Sequence, residues 1–527
     1  MGTTLTENRN CLRGLRAAAP RGVALGAAII GLAATQAAAA PSNIVMRQLT
    51  NITTGTIESP KLQLQDGRDI AFASNGDVLG PGTQTANRQI YLWHENEFTG
   101  AGTITKLTNG VGCDSYDPAR PTDTIPTDRP KLIAFVSTCN FDPTVGNVDG
   151  NPEIFFYGLE SQHIWQITKT VAPVVNADPF TSDSGRCLVF TSNADLDNNN
   201  PSNPHYDSNR PGPGHTNPDS SNEVFLYGLL DGTFEFPFNG TFTQLSNGPS
   251  GTTSNKPVVG GYIFSRQCQT AAFQSDYDQS GTGLTGQIVF VYNAPDSSIE
   301  VMNSEEIAAH GLPSGMYQNP AISEASPFAR GPNLVFESSA DVWNNGSTGN
   351  EVYNFRLFHP RVSQYTNVGS PFEAKFPQVS DGGGVVTFQS NGELLTQKRE
   401  AKDGSMPPFN ADGNYEIFRL KGRKTITQIT RTTGCTNSSS TLMDDGNRVG
   451  FVSDCDIVPG ENAGHRTQVF LYARERGDAG ILTSGNCTQA NGCCYVTHDG
   501  STCYSDLTSA KPDISRPNCL DRDSCID

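Results

Sequence analysis

The sequence is short of basic charge, of helical periodicity and of the short motifs that mark common catalytic centres. Lys and Arg number 36 against 54 Asp and Glu, a net charge of -18 spread along the chain. That argues against nucleic acid or an anionic membrane as the main partner. Apolar residues at helical spacing are almost missing, and "SEEIAAHGL" (304–312) is the one short helical candidate. The chain has no Gly-x-Ser-x-Gly elbow for a nucleophilic serine, and its eight His (94, 163, 205, 215, 310, 359, 465, 498) include no His-Glu-x-x-His pair. After residue 40 no apolar run reaches the roughly 20 residues of a membrane span.

What is present begins with an N-terminal basic region (Arg9, Arg13, Arg16, Arg21), an Ala/Gly-rich apolar run and three Ala before Pro41. This pattern predicts a secretory signal peptide over 1–40 and export to the periplasm or the extracellular space. Cys11 lies before the apolar run. The other twelve Cys are an even count, the arrangement of disulfides in an oxidising compartment, and six of them crowd into a tail at 486–527.

The strongest signal is a repeat. Phe-x-Ser follows a short apolar run seven times, at Phe72, Phe135, Phe190, Phe273, Phe336, Phe388 and Phe451. Five residues after each Phe stands Asp77, Asn140, Asp195, Asp278, Asp341, Glu393 or Asp456. Further on, a Glu or Gln opens an apolar alternation, as in "QIYLW" (from Gln89) and "EIFFY" (from Glu153), and a further strand follows, as in "ITKLT". A fainter cue precedes the Phe strand, as in "NPAIS" (319–323) and "FPQVS" (376–380). Four short strands repeated seven times predict an all-β, seven-bladed propeller over 41–485, because one such sheet cannot cover its apolar faces alone. Two segments compete to complete the last blade: "IVMRQLTN" (44–51) and "AGILTSG" (479–485).

Units such as "PQVSDGGGVVTFQSNGELL" and "FVSDCDIVPGENAGHRTQVFLY" resemble the WD40-like (PD40) repeats of the TolB-like β-propeller family of bacterial exported proteins. The resemblance implies a propeller that serves as a platform for protein or ligand contact, although the loops are longer here, above all in the third unit. Equivalent placement in units two and seven predicts the bridges Cys113–Cys139 and Cys435–Cys455. Cys187 and Cys268, near the Phe strands of neighbouring units, are a further candidate pair. The small tail is expected to be held by disulfides of its own.

The recurring acid after each Phe is expected to cap a turn, and the recurring Glu or Gln to tie its strand to a neighbouring loop, since a feature present in every unit is structural. The third-unit loop is the exception. Asp195, Asp197 and Asn199 offer oxygen ligands at alternate positions, as part of a Ca²⁺ loop would, but the Gly at position six and the distant Glu are missing. A solvated, Pro-pinned loop is therefore the preferred reading there, and no cofactor is expected. The functional expectation is a non-catalytic scaffold that binds a protein or glycan at one propeller face, with self-association through the tail as an added role. The alternative is a polysaccharide lyase or hydrolase with its site at the channel mouth.

Overall fold

The computed structural model describes residues 44–474 outside a set of loop stretches, the longest being 123–130, 197–216, 230–239, 261–269, 302–312, 324–331 and 395–409, together with 495–496 and 503–504. These residues form seven four-stranded antiparallel sheets, the blades of a propeller, and a separate pair of two-residue strands, Tyr495–Val496 and Cys503–Tyr504. No helix occurs among the described residues. The expected signal segment, the helical candidate at 304–312, the strand candidate at 479–485 and nearly all of the tail lie outside them.

In six blades the chain meanders from an inner strand to an outer one; blade 1 runs Ile57–Leu62, Asp69–Ser74, Gln89–Glu95, Gly102–Lys106. Five of the second strands are buried along their whole length on both faces, and those of blades 5 and 7 at all but the first residue, because each face packs against a neighbouring blade. The recurring Phe sits on that strand and stacks on the aromatic ring directly opposite it on the third. The seven pairs are Phe72–Tyr91, Phe135–Phe155, Phe190–Phe225, Phe273–Phe290, Phe336–Tyr353, Phe388–Phe418 and Phe451–Phe470, with centroids 5.7–6.0 Å apart. Each pair adds about 0.5–1.5 kcal/mol beyond the area it buries. The Ser of Phe-x-Ser then turns the chain. In all seven copies its Oγ accepts the N–H two residues on, as Ser74 does from Gly76 and Ser453 from Cys455.

The Glu or Gln that opens the third strand forms a buried clamp. It accepts a hydroxyl proton from Thr108, Thr168, Ser246, Thr366, Thr430 or Thr50, at the end of the outer strand. The same hydroxyl oxygen accepts the N–H of the residue after the Glu or Gln, at 2.8–2.9 Å. The amide two residues past the hydroxyl donates to the clamp as well, at 2.6–3.1 Å. Six blades share this pattern; in blade 4 the outer end of the sheet, beyond Val301, lies outside the described residues. In blade 1 the donating amide belongs to Gly110, and only glycine fits, since a Cβ there would stand 2.3 Å from Cys139 Sγ.

Blade 7 shows how the ring closes. Its outer strand is N-terminal: Ile44–Gln48 pairs antiparallel with Gln468–Arg474. Thr50 clamps Gln468, whose Nε2 also donates to the Ile52 carbonyl. Next to this joint, buried Glu95 of blade 1 holds both Arg47 and Arg448 of blade 7. Covering the third strand of blade 7 removes a free sheet edge.

Burial pushes the carboxyls of Glu153, Glu223 and Glu416 up from the usual 4.5, with the clamp hydrogen bonds acting against it. The folded state then binds more protons than the unfolded one between pH 4.5 and the raised values, so this contribution to stability grows as pH falls through that window. Asp77 and Asp278 are nudged upward by burial, but hydrogen bonds outweigh it and hold them below 3.8, so their opposing loss comes only at lower pH. Glu223→Gln is expected to adopt the Gln89 pattern and stay within about 1 kcal/mol of the parent at pH 7, with a smaller stability gain on acidification to pH 4.5. Glu223→Ala strands two hydroxyls and an amide and should cost about 2 kcal/mol or more. Urea denaturation across pH 4.5–7 checks both.

Candidate binding site in the central channel

Where the blades meet, the inner strands enclose a cavity of about 350 Å³ lined by one repeated position: Ser59, Asp117, Asp178, Lys256, Asn319, Phe376 and Ser439. All seven have a left-handed backbone, with φ between 47° and 54°. In six blades the ladder shifts register across this residue and the next, a β-bulge. The next residue is Pro60, Pro118, Pro179, Pro257, Pro320 or Pro377, and Ser440 in blade 7. Proline suits the bulge because it brings no N–H to a place where the ladder has no acceptor. Asn, Asp and Ser tolerate this conformation; Lys256 and Phe376 do so at a cost of about 1–2 kcal/mol each. The backbone is therefore uniform around the channel while the side chains are not.

Two of these residues are fixed by a neighbouring blade through the middle residue of Phe-x-Ser. Gln274 accepts the Asn319 N–H (2.7 Å), and Glu337 accepts the Phe376 N–H (2.5 Å) and the Asn319 amide (2.9 Å). The equivalent Gln389 of blade 6 lines the cavity.

The lining is also uneven in charge. Blades 1 to 4 supply Lys61, Asp117, Asp178 and Lys256; blades 5 to 7 supply Asn319, Phe376, Gln378, Gln389 and the hydroxyls of 438–441. Lys256 pairs with Asp178 at 2.7 Å. Arg120, beside Asp117 in sequence, is engaged by Asp183 (3.3 Å), the Thr181 carbonyl and the Phe180 ring. Burial pushes the Lys61 ammonium down from its ordinary value, with Asp117 countering, and pushes the Asp117 carboxyl up, with Lys61 countering. Phe376 is 45% exposed.

The residues singled out from sequence lie elsewhere. Asp195 lies three residues past the second strand of blade 3, Cys187–Ser192, whereas Asp197 and Asn199 fall outside the described residues. Asp341 and Asp456 cap the turns that follow them, accepting the amides of Asn345 and Gly346 and of Gly460 and Asn462, whereas Asp77 accepts the Thr53 and Thr54 amides of the loop before its own blade's inner strand. Cys113–Cys139 and Cys435–Cys455 are disulfides with Cα–Cα distances of 5.2 and 5.4 Å, each joining the loop before an inner strand to the turn after the second strand of the same blade. Cys187 is also disulfide-bonded, and Cys268 lies outside the described residues. Cys435, Cys455 and Asp454 approach one another as metal ligands would, but both sulfurs are spent in the disulfide and Asp454 accepts the Thr436 amide. Among the described residues no helix is long and apolar enough to cross a membrane. The channel ring went unread in the sequence although "NPAIS" and "FPQVS" begin with two of its members; the signal is the residue before the repeated Pro.

Fold and site thus define a closed seven-bladed propeller whose channel is chemically asymmetric. No family model matches the chain, and no curated protein does. Solved propellers are similar in fold. An oligogalacturonate lyase from Vibrio parahaemolyticus aligns over 82% of this chain and 99% of its own at 10% identity and a TM-score of 0.46. The β-propeller domain of the Trilobed protease from Pyrococcus furiosus covers 81% and 95% at 10% identity and a TM-score of 0.43. TolB from Acinetobacter baumannii covers 82% and 80% at 11% identity and a TM-score of 0.33. None of them bears on what this chain binds.

Ser439 tests the ring backbone without a buried side chain, since it is exposed. A β-branched residue at this φ should destabilise the protein: Ser439→Val is expected to lose about 1–2 kcal/mol, against about 0.5 kcal/mol or less for a surface change free of backbone demand. Ser439→Gly should be tolerated. Thermal melts of the two variants decide it.

Proposed function

We propose that the chain is an exported, non-catalytic scaffold that recognises a partner at the propeller face formed by the loops before the inner strands and after the second strands. The observation that carries this reading is a group of apolar loop tips around blade 2: Val111, Val148 and Val171 are 92%, 90% and 73% exposed. Their loops are braced. Cys113–Cys139 ties the first loop to the turn that leads into the second. Asp149 accepts the Ala172 N–H at 2.7 Å, joining the second to the third. Exposed Met316 and Phe372 lie in loops that open on the same face. Apolar side chains held in water on rigid loops favour a protein partner over a glycan. The intrachain disulfides support an oxidising compartment, periplasmic or extracellular. The Cys-rich tail is assigned self-association or surface attachment in the same reading.

A pull-down from the protein's own envelope or culture fluid, with the parent beside the triple variant Val111→Ser, Val148→Ser, Val171→Ser, is the test. The expected result is a partner retained by the parent and lost by the variant at unchanged melting temperature. Identical retention by both, or depolymerisation of a polysaccharide by the purified chain, would overturn the reading.

A further inference from the structure

The channel cavity contains two ionisable side chains that have no direct partner among the described residues. Lys61 and Asp117 both line it, yet neither side chain makes a hydrogen bond or an ion pair within 4.0 Å, with the other or with any described residue. Their neighbours Asp178 and Lys256 are paired, so unpaired charge is not a general property of this lining. Burial disfavours the charged form of each, with the other side chain countering, and a ligand bearing the opposite charge would offset that cost further. Gln389 is a third open group. It is 6% exposed and lines the cavity, and its side chain makes no hydrogen bond with any described residue, although Gln274 and Glu337 at the same position are occupied with the next blade. On the blade next to Ser439, the ring of Phe376 offers the cavity an apolar surface, held there by its left-handed backbone.

We propose that this cavity binds a small zwitterion, its carboxylate on Lys61, its ammonium on Asp117 and its uncharged part against Gln389 and Phe376. A cavity of about 350 Å³ lies at the small end of ligand sites and suits one amino acid, a dipeptide or one amino-sugar acid, not a polymer. The site is separate from the valine loops, so either assignment can fail without the other.

Titration calorimetry on the purified chain tests it with three probes: glycyl-leucine, muramic acid, and N-acetylglycyl-leucinamide, which lacks both charges. The expected result is binding of glycyl-leucine or muramic acid and none of the blocked dipeptide; whichever zwitterion binds more tightly identifies the peptide or amino-sugar source. Lys61→Met and Asp117→Asn should each weaken binding about 10- to 100-fold, the usual size of a charged hydrogen bond. The proposal is overturned if neither zwitterion binds the parent at millimolar concentration, if the blocked dipeptide binds as tightly as the free one, or if both folded variants keep the parent's affinity. The comparison of free and blocked dipeptide needs only the parent, so it decides the matter even where a variant does not fold.

Discussion

The described blades depend on a buried side chain at the start of the third strand, which in six of the seven holds the end of the outer strand and the segment leaving it. The Glu or Gln takes a hydroxyl and an amide two residues apart, while the hydroxyl oxygen takes the strand's own N–H. Four polar groups that would otherwise be costly to bury satisfy one another. The joint fixes where one blade ends, and so where the chain turns inward to begin the next. The Phe stacks fill the space between blades, but stacking alone does not set register. The clamp does, and its last copy joins Thr50 to Gln468 across the whole length of the repeat array.

Much of this was legible in the sequence because it recurs. Seven Phe-x-Ser copies gave the blades, and the acid five residues on gave the turns that Asp278, Asp341 and Asp456 cap, though not the reach of Asp77 and Glu393 to more distant loops. The pairing of Cys113 with Cys139 and of Cys435 with Cys455 could be read because units two and seven place them alike. The clamp was visible only as half of itself: Glu153 and its counterparts stood out, but Thr168 and its counterparts lie across connections of unequal length. Closure was undecided for the same reason. "RQLTN" and "GILTS" both look like outer strands, and only register with Gln468 tells them apart.

The channel ring was illegible for a different physical reason. A repeat shows itself through repeated side chains, and here the repeated property is a backbone angle. Ser59, Asp117, Asp178, Lys256, Asn319, Phe376 and Ser439 share a left-handed φ and nothing else, so no residue type marks the position; the Pro after it does. A uniform frame with variable chemistry is what a recognition surface requires, because each side chain can change without disturbing the blade that carries it. The same division holds at the loop face, where disulfides and turn caps brace the backbone and the exposed valines vary the surface.

The central claim is that ring closure uses the same clamp as the blades themselves. Native-state hydrogen exchange at the amides of Ile90, Ile154, Val224, Val352, Ile417 and Val469 tests it most directly, since each donates to a clamp hydroxyl. The account predicts that Val469, whose acceptor Thr50 comes from the N-terminal strand, is protected to the same global-unfolding limit as the other five. Exchange of Val469 by local opening, with the others still protected, would contradict it.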